Sequence, residues 1–277
     1  MSMPSPTPAM PPPVLFAGLI DDAAVFPPGS HPIDVALARR FERSATTDAR
    51  YVGSLLIPAA HVDRTLREVH PVPIVMIGRP GTPLDDALKA AREVTASGTH
   101  ALAGIQVAHQ DGWQRCLDLG VPVAIEVPAD DFEQRLNDLV PQRFQTLAKL
   151  RTGSTPANPV PTPAQLAAFI TACRDRELSF KLTGGMHHAI THDAGQERQF
   201  GFLNVLAAVD AALRADAPSA IAQLLDVESP EVIVDAVCAL DDTHAHDVRT
   251  LFQSYGCCDV DDPINDLRTL GLIEEKK

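Results

Sequence analysis

At 277 residues, 45% hydrophobic and 21% charged, the chain can bury a large core without disulfide staples. Lys plus Arg number 23 against 36 Asp plus Glu, a formal net charge of −13, which argues against nucleic acid or an anionic membrane surface as partner. A small anionic substrate remains admissible, because a few buried cations can set a local field, and no apolar run reaches the ~18 residues of a membrane span.

Residues 1–13, MSMPSPTPAMPPP, lack the basic start and apolar stretch of a signal peptide and read as a disordered Pro-rich tail. Residues 14–277 read as one domain in which a short apolar run, a loop and an amphipathic helix recur. Strands are predicted at 14–20, 51–57, 73–77, 101–107, 121–127, 146–151, 179–183 and 250–255. The helices that follow them are predicted at 32–45, 60–69, 83–96, 111–119, 129–139, 163–176, 202–214 and 263–270, with further helices inside 215–249. Thr162 before Pro163, Ser229 before Pro230 and Asp262 before Pro263 read as N-caps. Gly98, Gly120 and Gly271 read as helix stops. Strands alternating with helices imply parallel pairing, and eight of them close most simply into an α/β (β/α)8 TIM-like barrel with extra helices between strands seven and eight. The alternative, an open doubly wound sheet, calls for a glycine-rich loop after the first strand, and Gly18-Leu19-Ile20-Asp21-Asp22 is not one.

The five cysteines are odd in number and form no CxxC pair, which suits a reducing, cytoplasmic setting. Cys116, Cys173 and Cys238 fall in apolar helical surroundings as buried thiols, while the adjacent Cys257 and Cys258 are open to redox chemistry.

Several strands break the unbroken apolar pattern of a doubly covered parallel sheet. Side chains alternate between faces, so Ala148 and Leu150 share one face of strand six while Lys149 and Arg151 share the other. On strand seven Phe180 and Leu182 oppose Lys181 and Thr183; Glu126 and Gln106 interrupt strands five and four in the same way. Helices cover the outside of a barrel, so Gln106, Glu126, Lys149, Arg151, Lys181 and Thr183 are expected inside, near the C-terminal ends where barrel active sites lie. They could form a structural ion network, but burying two lysines, an arginine and a glutamate is a costly way to fill a core. A lysine beside other cations and away from water has a lowered pKa and attacks carbonyls as the free amine. Lys149 is read as the nucleophile, Lys181 as its pKa-lowering neighbour and Glu126 as the proton shuttle. This reading makes the chain a lyase acting on a small, anionic carbonyl compound without a cofactor.

The strings Ala148-Lys149-Leu150-Arg151-Thr152-Gly153 and Lys181-Leu182-Thr183-Gly184-Gly185 resemble the two lysine strands of class I aldolases of the deoxyribose-phosphate aldolase type. The resemblance spans about fifteen residues. It implies Lys149 as the Schiff-base lysine, Lys181 as its partner and Gly184-Gly185 as a phosphate-binding turn. The chain departs from that family at Arg151, where small polar residues are kept, and at Met186-His187-His188 after the glycines.

Other residues at the expected catalytic end complete the candidate set. His187 and His188 serve as acid–base or substrate-binding groups or, with Glu126, as ligands of a divalent metal in an alternative metal-dependent enzyme. Asp21 and Asp22 end the first predicted strand and are candidates to bind substrate or metal or to neutralise Arg151. Asn204 is expected to aim its amide at the site. His192 lies four residues beyond His188. His244 and His246 are expected exposed between helices, and Asp259, Asp261 and Asp262 form a solvated acidic turn. A third reading is a barrel that binds an anionic metabolite through Arg151, Lys149 and the Gly-Gly turn without chemistry. A homo-oligomer is compatible with each.

Overall fold

Short apolar strands flanked by amphipathic helices can hide both sheet faces in an open sheet covered on each side or by rolling the sheet shut inside a ring of helices. The computed structural model describes residues 10–79, 81–156, 158–195 and 197–274. Strands β1 (Ile20–Asp22), β2 (Val52–Pro58), β3 (Pro73–Ile77), β4 (Ala101–Ala108), β5 (Val123–Val127), β6 (Thr146–Arg151), β7 (Phe180–Thr183) and β10 (Phe252–Cys257) form a closed barrel in the order β1-β10-β7-β6-β5-β4-β3-β2. Every neighbouring pair is parallel. The fold is therefore the (β/α)8 barrel, and the open-sheet alternative is excluded.

The helices are α1 (Ile33–Ser44), α2 (Val62–Thr65), α3 (Leu84–Ser97), α4 (Glu133–Leu139), α5 (Pro163–Asp175), α6 (Phe202–Leu213), α7 (Pro218–Asp226), α8 (Pro230–Cys238), α9 (Asp242–Leu251) and α10 (Asp261–Thr269). The insertion predicted within 215–249 consists of α7, α8 and α9, which pack on α6. This cover explains why α6 is apolar almost all round, since a helix with no polar face must be buried on every side. Thr162 caps α5 in a reciprocal box with Gln165, and Ser229 caps α8. Gly98, Gly120 and Gly271 all take positive φ after helical turns.

An antiparallel hairpin absent from the sequence reading, β8 (His192–Ala194) with β9 (Glu197–Gln199), lies in the long connection after β7. Arg198 anchors it. That guanidinium donates to Asp193 (3.0 Å) and Asp226 (2.8 Å) and pairs with Glu228, so the hairpin is tied to the end of α7.

The structure corrects several boundaries. Of the predicted strand 14–20 only Ile20 is in a strand: Leu15, Phe16 and Leu19 are buried ahead of β1, where Arg249 donates to the Leu15 and Ala17 carbonyls (3.0 and 2.9 Å). The first strand is Ile20-Asp21-Asp22 instead, disguised by its two carboxylates. The helices predicted at 60–69 and 111–119 are a 3-10 turn leading into the short α2, and a 3-10 helix at Trp113–Leu119. Asp262 lies inside the first turn of α10 rather than capping it. His244 and His246 are exposed as expected, but on α9 rather than between helices. Of the expected tail, residues 1–9 fall outside the described part, while Pro11 is buried and Pro13 opens a 3-10 turn. No helix among the described residues is long and apolar enough to cross a membrane.

Candidate active site

The outward residues of the later strands fix which side chains enter the barrel. Phe180 of β7 packs outward against Phe169 of α5, with ring centroids 5.4 Å apart, and Ala148, Leu150 and Leu182 are buried against the helices. The alternate residues must then point inward. Gln106, Glu126, Lys149, Arg151 and Thr183 do so, and together line a cavity of about 260 Å³ that opens at the C-terminal ends of the strands.

Strand register sets their contacts. Glu126 is the ladder partner of Lys149, and Lys149 that of Lys181. Lys149 Nζ lies 2.8 Å from Glu126 Oε2, and Arg151 Nε stands 4.0 Å from the other carboxylate oxygen. The Lys149 side chain is only 8% exposed, whereas Arg151 is 40% exposed and reaches into the open space. Burial pulls the Lys149 pKa below the ordinary lysine value; Glu126 opposes the fall, and the Lys181 and Arg151 charges add to it. Burial pushes Glu126 upward, but Lys149 and Arg151 outweigh it and hold the carboxyl below its usual range. The resting pair is an ammonium and a carboxylate, each of which holds a proton less tightly than the free group does.

Lys181 is inward but deeper, and it is not part of the cavity wall. Its ammonium pairs with Asp21, which also accepts from Ser254 Oγ (2.8 Å). Because β10 separates β1 from β7, this pair bridges the barrel interior. Asp21 thus neutralises Lys181, correcting the expectation that it might serve Arg151. Asp22, on the opposite face, points out toward α1. Its carboxylate accepts from the Ala24 N–H (3.1 Å), burial raises its pKa, and Arg40, Arg43 and Arg39 oppose that rise.

Three further expectations are corrected. Asn204 is wholly buried at the start of α6 and turned away from the cavity. Its amide accepts from the Thr191 N–H (2.9 Å) and donates to the Leu224 and Val227 carbonyls (2.8 Å each), holding α7 to the β7–α6 connection. His188 is exposed on a separate depression beside His192, with Nδ1 3.2 Å from Asp266. His187, by contrast, lies on the cavity wall. Adjacent residues that diverge cannot share one ion. His187, His188 and Glu126 therefore do not converge as metal ligands, and no metal-binding group of three His, Cys, Asp or Glu occurs among the described residues.

The two glycine-rich turns are built around Arg151. Gly184 has φ +77°, and a Cβ there would lie 2.7 Å from Arg151 Nη1. Gly153 packs on the Gly184–Gly185 backbone, 3.1 Å from where its own Cβ would be. Small residues are required because two turns and a guanidinium share one space.

Four polar residues of the wall, Arg79, Ser154, Glu197 and Cys258, were not placed at the site by the sequence reading. Arg79 follows β3 and lies 5.6 Å from the Phe26 ring centroid, and Glu197 of β9 accepts from Ser154 Oγ (2.6 Å). Cys258 follows β10. Arg79 and Cys258 were findable, since each stands just past the C-terminal end of a barrel strand. Glu197 and Ser154 carried no such signal.

No family model and no curated protein matches the chain. A solved structure of dihydropteroate synthase from Xanthomonas albilineans, in complex with 7,8-dihydropteroate, is similar over 93% of this chain and 94% of that one. The identity is 12% and the TM-score 0.42, a distance at which the likeness says nothing about the site.

Proposed function

We propose that the cavity forms a lysine imine with a small anionic carbonyl compound, as in lyases of the class I aldolase type. The observation that carries this reading is the position of Lys149: a buried amine on an open cavity, with its pKa pulled down and a carboxylate 2.8 Å away. Glu126 takes the ammonium proton, and the free Nζ adds to the carbonyl carbon. Glu126 then returns a proton to the carbinolamine oxygen, water leaves and a protonated imine remains. That imine is the electron sink that carbon–carbon cleavage requires.

The charge of the wall supports an anionic ligand. Among its described residues are three cations, Arg79, Lys149 and Arg151, against two carboxylates, Glu126 and Glu197. The cavity is a positive spot in a chain of net charge −13. Arg151, held by the glycine turns, is the group best placed for a carboxylate or phosphate. Borohydride reduction in the presence of small keto acids and aldehydes, read by intact mass, is expected to give one adduct. Lys149→Ala should remove it. An adduct that persists in Lys149→Ala, or none with any compound, overturns the reading.

The ion pair itself favours one other reading. A lysine already neutralised by Glu126, beside a freer Arg151, suits a barrel that only binds an anionic metabolite. Stabilisation by phosphate or carboxylates without any trapped imine distinguishes it.

A further inference from the structure

Two loops from different strands meet at one edge of the cavity. His187 comes from the connection after β7, Cys258 directly follows β10, and Asp262 lies in the first turn of α10. His187 Nε2 is 3.6 Å from Cys258 Sγ, and His187 Nδ1 is 3.7 Å from Asp262 Oδ2. His187 and Cys258 both line the cavity. A thiol, an imidazole between and a carboxylate behind is the order of nucleophile, base and orienting group. We propose that Cys258, His187 and Asp262 form a second nucleophilic centre of this cavity, in which the Cys258 thiol adds to the carbonyl carbon of an anionic aldehyde.

The neighbouring Cys257 separates the proposal from a general thiol cluster. Its Sγ also lies 3.6 Å from His187 Nδ1, but it donates to the Asp259 carbonyl at 3.1 Å, is almost wholly buried, and is not on the cavity wall. Its proton is committed, whereas the Cys258 thiol faces the imidazole and the open space. Gly29 presses against Cys258: a Cβ there would lie 3.1 Å from the Cys258 carbonyl oxygen and 3.3 Å from its Cβ. The Gly29 N–H also acts on the Cys258 sulfur, where it favours the thiolate.

The protonation states fit general-base activation. Burial lowers His187, with Asp262 opposing, so the imidazole is neutral at rest. Burial raises Cys258, so the thiol keeps its proton until a substrate arrives. Cys258 Sγ lies 3.6 Å from Nε2 and 3.9 Å from Nδ1, beside the ring, so a small turn of the imidazole brings the Nε2 lone pair onto the thiol while Nδ1 faces Asp262. In the step, the S–H bond breaks and its proton passes to Nε2. The sulfur pair bonds to the aldehyde carbon, the C=O π pair moves to oxygen, and the imidazolium returns the proton to that oxygen. The product is a thiohemiacetal, formed without oxidant or reductant.

This centre does not require the imine at Lys149, and its test separates the two. The full chain is treated with limiting iodoacetamide and its five cysteines are followed by peptide mass mapping. Cys258, which is 8% exposed but lines the cavity, and the half-buried Cys238 should be alkylated, and Cys116, Cys173 and Cys257, buried away from the cavity, protected. His187→Ala should slow labelling of Cys258 at least ~10-fold while leaving Cys238, an internal check on folding, unchanged. Asp262→Asn should slow Cys258 less. Lys149→Ala should leave Cys258 labelling intact, and in that variant glyoxylate should still protect Cys258. A Cys258 that stays unmodified in the folded chain, that ignores the loss of His187, or that glyoxylate fails to protect overturns the proposal.

Discussion

Glu126 has two opposing effects on Lys149. It keeps the amine protonated through its negative charge, and under the imine reading it also accepts the proton when chemistry begins. Glu126→Gln separates these effects. Without the carboxylate, burial and the Lys181 and Arg151 charges act on Lys149 unopposed, so its pKa falls further. The free amine then appears at lower pH. In a pH series of borohydride trapping, the midpoint of the rising limb should move to lower pH while the plateau rate falls, because the proton shuttle is gone. A midpoint that stays fixed or moves upward counts against the assigned roles. At this scale the sequence was readable where alternation decides. Gln106, Glu126, Lys149, Arg151 and Thr183 face inward as their spacing requires, because a strand cannot turn one residue without turning its neighbours. Asn204 and Asp22 were misread for the opposite reason: a helix start and a short strand leave orientation to tertiary contacts.

The elements that shape the cavity are the turns after β6 and β7. Their glycines make room for a guanidinium, and the dependence is testable. Gly184→Ala places a methyl 2.7 Å from Arg151 Nη1 on a backbone with φ +77°. Arg151 must swing away, and the strained backbone adds about 1 kcal/mol. Phosphate or oxalate binding, followed by thermal shift, should weaken while the fold is retained; unchanged binding would show that Arg151 does not hold the anion. The order of strands and helices was legible from repeated apolar runs and cap residues such as Thr162 and Ser229. The β8–β9 hairpin was not. Its residues are mostly polar and at most half-buried, and charge contacts from Arg198 to α7 and Glu228 secure it rather than any apolar pattern.

For the molecule as a whole, the Lys181–Asp21 pair joins β7 to β1 through the barrel interior. Removing one member of a buried pair leaves the other charged without its counter-ion, at a cost of about 3–5 kcal/mol. Lys181→Met should therefore lower the denaturant midpoint markedly. Replacing both residues, as Lys181→Met with Asp21→Leu, should recover much of the loss. If Lys181→Met alone is neutral, the pair has no part in holding the barrel closed. Nothing in the residue pattern shows that the two lysines divide in this way, one at the cavity and one bracing the sheet. They are register neighbours with the same inward direction, and only the partner each meets distinguishes them.

Arg198 links regions that are distant in sequence. The hairpin it secures carries Glu197 to the cavity mouth, and the residues that hold it include Asp226 and Glu228, at the junction of α7 and α8. The inserted helices, remote from any reacting atom, thus act as the doorpost of the entrance. Sequence drift in that insertion would alter how wide the doorway stands and how quickly ligands come and go, while the floor at Lys149 and Glu126 stayed the same.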